Sequence, residues 1–209
     1  VVLFENHPAL TTISFPNLVE VAEFDIYENA LLQSINMPAL QRLTTSSLHI
    51  VGNGTPGLPL TLSFPLLQSV GTNLEIAGGY YDHAGVTTFS FPALTTVPNG
   101  LMVHYAGGLT SFSFPLLTGA GYAEIVGNPD LETFSMPAFE DAGEGISVES
   151  NALLTDFDLS GLEYGDQVSI SYNSSLASLP PLPALSPTMW VDVGYNASLV
   201  DLAGLAGLT

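Results

Sequence analysis

The stretch Phe24-Asp25-Ile26-Tyr27-Glu28-Asn29 decides the fold. It reads apolar, variable, apolar, two variable residues, then Asn. The same frame fits Val1–Asn6, Leu48–Asn53, Leu74–Gly79, Leu101–Ala106, Ala123–Asn128, Ile146–Asn151, Val168–Asn173 and Val191–Asn196. Seven of the nine copies end in Asn, with Gly79 and Ala106 as the exceptions. The copies start 22 to 27 residues apart. One short strand per period of that length marks a solenoid, in which each rung packs only on its neighbours.

A second anchor recurs in each rung, an apolar residue followed by Pro: Phe15-Pro16, Met37-Pro38, Phe64-Pro65, Phe91-Pro92, Phe114-Pro115, Met136-Pro137 and Leu182-Pro183. Proline has no N–H and fixes φ, so it belongs at a bend. Alternation at the start of the frame predicts a strand whose first and third side chains point inward. The Asn is expected to turn the chain and bond backbone groups of neighbouring rungs. No rung holds an apolar run of helical period long enough for a helix. The expectation is a mostly β, right-handed solenoid of about nine rungs over residues 1–209, one repeat domain with little or no α-helix. Rungs three and four carry extra residues, Gly54 to Pro59 and Gly78 to Gly85, and insertions in a solenoid map to loops on one face.

The charge balance excludes whole classes of partner. There are 20 acidic residues against a single Arg42 and no Lys, for a formal charge of -19. Binding to a nucleic-acid backbone or to anionic lipid needs clustered cations, so neither is expected. Such a surface is stabilised by screening, in salt or in calcium-rich surroundings. With no Cys, neither a disulfide nor a thiolate metal site is available.

The frame L-x-I-x-x-N with L-P-x-L-x-x-V, and segments such as Asn128-Pro129-Asp130-Leu131 and Phe91-Pro92-Ala93-Leu94-Thr95-Thr96-Val97, resemble leucine-rich repeats. The closer resemblance is to the receptor L-domain type of bacterial and fungal cell-surface proteins. It implies an extracellular recognition or adhesion role, as part of a longer surface protein, and brings no catalytic residues with it. The chain departs from that type in lacking the disulfides that usually cap it.

Period two places Asp25, His49, Glu75, Met102, Glu124 and Val2 at one outward position of the repeated strand. Tyr27, Val51, His104, Glu149 and Phe4 fall at the next. The residue before the Asn position is Glu28, Tyr105, Tyr172 or Tyr195 in four rungs. The candidate binding set is therefore Tyr27, Glu75, His104, Tyr105, Tyr172 and Tyr195, with Tyr80, Tyr81, Asp82 and His83 crowning the second insertion. Tyr rings and carboxylates suit a glycan or a protein partner. Carboxylates on adjacent rungs could share calcium, and the face could equally be a solvated surface of cross-strand pairs.

Residues 132–166 hold nine of the twenty acids, including Asp141 and Glu144 in a Gly-containing turn and Asp156 and Asp158 on one side of an extended segment. No EF-hand, H-E-x-x-H, G-x-S-x-G or phosphate-loop pattern occurs, so an enzyme is not expected. Thr pairs such as Thr11-Thr12 and Thr87-Thr88 do not recur in every rung, which argues against a Thr-ladder ice-binding face. The alternative to recognition is an envelope or filament module stacking through its apolar end rungs, Val1-Val2-Leu3 and residues 199–208.

Overall fold

A computed structural model describes residues 1–55, 57–79, 85–182 and 190–206. The chain winds about 8 turns of a parallel β-solenoid. Its largest sheet has nine strands: Val2–Glu5, Phe24–Tyr27, Leu48–Val51, Leu74–Ala77, Thr96–His104, Gly119–Val126, Ile146–Glu149, Gln167–Ser171 and Trp190–Gly194. All neighbouring pairs are parallel, in chain order. A second line of pairing runs through the strands before the Pro bend, in a four-stranded sheet over rungs one to four and a three-stranded one over rungs five to seven. A third line is formed by the pair Glu20–Val21 and Arg42–Leu43 and by bridges through Ser69, Thr96, Gly119, Asp141 and Tyr164. The described helical content is one 3₁₀ turn, Ala203–Leu205.

The inward positions follow the frame. Phe24, Ile26, Leu48, Ile50, Leu74, Ile76, Leu101 and Val103 are fully buried. The residue before each Pro bend forms a second inner column, where Phe64 and Phe91 stack at 4.9 Å and Phe114 follows at 5.8 Å. A third column runs through Phe89, Phe112, Phe134 and Phe157, each 5.2 Å from the next. One continuous apolar core extends along the axis.

Asn29, Asn53, Asn128, Asn151 and Asn173 are buried and, with half-buried Asn196, act as a hydrogen-bonded ladder. Asn151 Oδ1 accepts from the Asn128 backbone N–H at 3.0 Å, and its side-chain N–H donates to the Ile125 carbonyl at 2.8 Å. Asn173 Oδ1 accepts from Asn151 N–H at 3.1 Å, and Asn196 Oδ1 accepts from Asn173 N–H at 2.9 Å. Asn53 serves Asn29 in the same way at 3.1 Å. Gly79 and Ala106 interrupt the ladder, although Ala106 N–H still donates to Asn128 Oδ1 at 3.0 Å.

Two expectations are corrected. The residue that turns the chain is the one before the Asn: Glu28, Tyr105, Ser150, Tyr172 and Tyr195 all have φ between 52° and 58°. A left-handed residue there costs a non-glycine side chain about 1–2 kcal/mol, and after Glu28, Ser150, Tyr172 and Tyr195 the ladder Asn that follows holds it in place. The first rung is also offset by one residue. Val2 pairs with Phe24 and Phe4 with Ile26, so Val2 and Phe4 pack on the core and are not outward. Val1 and Leu3 face out instead, 80% and 53% exposed. Asn6 takes the left-handed position at φ 52°, and His7 N–H donates to Asn29 Oδ1 from the ladder position. Every residue of Val1-Val2-Leu3-Phe4 is apolar, so alternation cannot fix its parity, and a slip of one exchanges the two faces.

In the first insertion, of which Pro56 lies outside the described residues, Thr55 and Leu58 are bridged. Leu58 N–H donates to the Thr55 carbonyl at 2.9 Å, and Gly54 and Gly57 supply positive φ. The Tyr80, Tyr81, Asp82 and His83 of the second lie outside the described residues, as does Pro183 of the last bend.

Candidate functional site

The outer face of the nine-stranded sheet brings four of the six described expected residues, Tyr27, Glu75, His104 and Tyr105, into two groups. In the first, His49 Nδ1 sits 2.8 Å from Asp25 Oδ1 one rung back. Its Nε2 is 3.9 Å from Glu75 Oε2 one rung forward. Tyr27 packs its ring against His49, centroids 6.1 Å apart. Burial, then the carboxylates Asp25, Glu75, Glu23 and Glu5, push the Tyr27 hydroxyl up to about 12. Tyr27 is therefore expected to ionise late in an alkaline titration, and Tyr27→Phe to remove a component near pH 12 from the tyrosinate absorbance curve. Loss of a component near pH 10 instead would contradict this placement.

In the second group, His104 packs edge-on to Tyr105 at 6.0 Å, and Tyr105 lays its ring over the space left by Gly127. His104 Nε2 is buried and lies 3.1 Å from Glu124 Oε2, close enough to feel the carboxylate without meeting the geometry of a full hydrogen bond. Burial lowers the imidazole below its usual 6.5, against the pull of Glu124 and Glu75. The unfolded chain then takes up this proton more readily than the folded one. The resulting stability is present above pH 6.5 and is lost as pH falls through the folded value. Urea midpoints of wild type and His104→Gln, measured side by side in pH steps below 6.5, should converge as the wild type loses this contribution. Parallel curves would contradict it.

Tyr172 and Tyr195 stand apart from both groups, at the corner where the chain leaves the sheet. They stack at 4.6 Å with planes 5° apart and remain 54% and 77% exposed.

A concavity on this face lies between rungs six and eight. A groove of about 340 Å³ is lined by Tyr122, Glu124, Glu144, Gly145, Ser147, Gln167 and Ser169 among others. Its floor is low because the outward positions here are small. Ser147 and Ser169 both donate to Glu149 Oε1, at 2.7 and 2.8 Å. Gly145 (φ 143°) leaves open the space beside Gln167, whose carbonyl would stand 2.5 Å from any Cβ there. Tyr122 forms one wall. Its ring lies across Gly100, and its hydroxyl reaches Met102 Sδ at 3.5 Å. Trp190, 69% exposed, pairs with Gln167 across the last two strands.

None of the residues lining the groove belongs to the expected binding set, and Tyr122, Gly145 and Gln167, with Trp190 beside Gln167 on the next strand, were not singled out at all. They occupy the outward position one residue before the frame. Extending the period of two back by one step from Ala123, Ile146, Val168 and Val191 finds them.

Among the described residues no three His, Asp or Glu side chains converge as a metal site. Three acids of the acidic region accept from nearby backbone N–H groups. Asp141 Oδ1 accepts from Gly143 N–H at 2.8 Å, Asp156 Oδ1 from Phe157 N–H at 2.9 Å and Asp158 Oδ1 from Ser160 N–H at 3.0 Å. The Ser160 contacts hold the Asp158 carboxyl below its usual value. Arg42 pairs with Glu20 on the third line, away from this face. No described helix is long and apolar enough to cross a membrane.

No family model, curated protein or solved structure matches this chain.

Proposed function

We propose that this solenoid is a cell-surface recognition module that binds a neutral or amine-bearing glycan on its nine-stranded face, without turning it over. The groove between Tyr122 and Gln167 carries the reading. It offers one aromatic wall, two flanking carboxylates and a hydroxyl-lined floor. Sugars are held by ring stacking and by hydrogen bonds to groups that both donate and accept. Its volume falls in the range of small-molecule sites. With no cation among the lining residues and a chain charge of -19, anionic ligands would be repelled. The finer assignment, a leucine-rich repeat of the receptor L-domain type, is part of the same proposal. The buried Asn of the L-x-I-x-x-N frame and its rung-to-rung bonds support it.

A glycan array probed with the whole chain and with Tyr122→Ala tests this. Retention of neutral glycans, lost in the variant, is expected. Silence on glycans together with capture of a protein ligand sensitive to Tyr172→Ala would replace the glycan with a protein partner at the stacked tyrosines.

A second reading, end-to-end stacking of chains, is supported by exposed Val1, Leu3, Val200 and Leu202 on the outermost rungs. Sedimentation that stays monomeric across a wide concentration range would remove it.

A further inference from the structure

The second line of strands presents a face unlike the rest of the molecule. In rungs one to six its outward residues are Thr12 and Ser14, Ser34 and Asn36, Thr61 and Ser63, Thr88 and Ser90, Ser111 and Ser113, and Thr133 and Ser135. Eleven of these twelve are hydroxyls and none is charged, on a chain with 20 acids. The strip ends at rung seven, where Asp156 and Asp158 take the same positions. The Thr pairs of the sequence hid this pattern. Only Thr12 and Thr88 of those pairs lie in the strip, and the repeat is hydroxyl-apolar-hydroxyl just before the Pro bend.

Local structure does not account for these hydroxyls. A Ser, Asn or Asp often accepts from the N–H two residues on, as Asp158 does from Ser160. For the second residue of each pair in rungs one to six that position is Pro16, Pro38, Pro65, Pro92, Pro115 or Pro137, which has no N–H to give. Thr88 bonds Thr61 at 3.3 Å and Ser135 bonds Asp158 at 3.4 Å. The other nine strip side chains make no hydrogen bond within the described protein.

The rows are held in register. Thr12, Ser34, Thr61 and Thr88 align in one and Ser14, Asn36, Ser63 and Ser90 in the other. Ser111 aligns with Thr133 and Ser113 with Ser135. Beneath them Ile13, Ile35, Leu62, Phe89, Phe112 and Phe134 are buried. The strand ladder is broken between rungs four and five, while the Phe89 and Phe112 rings below continue at 5.2 Å. The result is two blocks of hydroxyls, rungs one to four and rungs five and six, in each of which they stand about 4.8 Å apart from rung to rung and about 6.7 Å apart along each strand.

We propose that this strip binds the surface of ice. Its hydroxyls repeat regularly in two directions, as the groups of a crystalline surface do. Hydroxyls donate and accept as water does, so either proton order of the lattice is met. A charge-free strip also suits a neutral lattice. A sugar polymer fits less well, because the strip has no aromatic ring and no carboxylate until Asp156.

The test is nanolitre osmometry on the whole chain, reading crystal shape and the gap between melting and freezing. Wild type should facet ice and open a gap that grows with protein concentration. Thr88→Lys and Ser113→Lys, one in each block of the strip, should lose most of it, with thermal melts confirming that each variant is folded. Glu163→Gln, off the strip, should keep it. Rounded crystals with no gap in wild type would overturn the proposal, as would a gap unchanged in both folded strip variants. Co-sedimentation with crystalline cellulose or chitin that both variants abolish, without ice shaping, would overturn it in favour of a glycan lattice.

Discussion

Asn151→Ala is expected to lower the thermal midpoint by about 10 °C, a larger effect than any outward-facing substitution on the nine-stranded sheet. The side chain is fully buried. Removing it strands the Asn128 backbone N–H and withdraws a donor from the Ile125 carbonyl. Each buried polar group left without its partner costs about 1–3 kcal/mol, so the sum is about 4 kcal/mol. In a chain of this size each kcal/mol moves the midpoint by roughly 2–4 °C. Asn6→Ala is the control. Asn6 looks equivalent in sequence but sits in the left-handed turn position, outside the ladder. Its loss should cost about 1 kcal/mol, the preference of Asn over Ala for that conformation. Equal losses from the two substitutions in circular-dichroism melts would show that the ladder does not carry the stability assigned to it.

Phe91→Ala should destabilise by about 3–5 kcal/mol. The ring is fully buried, stacked on Phe64 at 4.9 Å and close to Phe114 at 5.8 Å. Truncation opens a cavity in the middle of the column, and neighbouring rungs cannot close on it without shifting their own ladders. Aromatic pairing adds about 0.5–1.5 kcal/mol per contact beyond area burial. Phe91→Leu, which keeps most of the volume, should cost under about 2 kcal/mol. Leu116→Ala, at a position 52% exposed, should be near neutral. Urea unfolding reads all three. A Phe91→Ala loss no greater than that of Leu116→Ala would mean that the column is not a packed core.

The architecture was legible because two signals with different physical causes agreed in phase. Alternation in the frame marks the sheet, and the apolar-Pro pair marks the bend. The Asn was legible as a repeat residue, but its job was only half visible. Sequence showed a turn residue, whereas burial makes it the acceptor and donor between rungs and leaves the turn to Glu28, Tyr105 or Tyr172. The first rung misled because four apolar residues in a row carry no parity, and Asn6 completed a false match. The candidate site was partly legible. Tyr27, Glu75 and His104 fall on the outer face as period two requires. Tyr122, Gln167 and Trp190 escaped because the frame was anchored on its first apolar residue, and an outward residue ahead of an anchor has no signal of its own. The hydroxyl strip escaped for another reason. Ser and Thr are ordinary in any turn-rich sequence, and only the register of parallel pairing shows that they fall into rows.

The central claim is that the groove beside Tyr122 on the nine-stranded face binds a glycan. Trp190, the single tryptophan of the chain, lies on the last strand of that face beside Gln167 and is 69% exposed. A fluorescence titration of Trp190 with neutral and amine-bearing oligosaccharides tests the claim most directly. The account predicts a saturable change in intensity or emission wavelength with at least one of them, abolished by Tyr122→Ala in a variant that melts like wild type. A flat response across the panel, or saturable binding that Tyr122→Ala leaves intact, would contradict it.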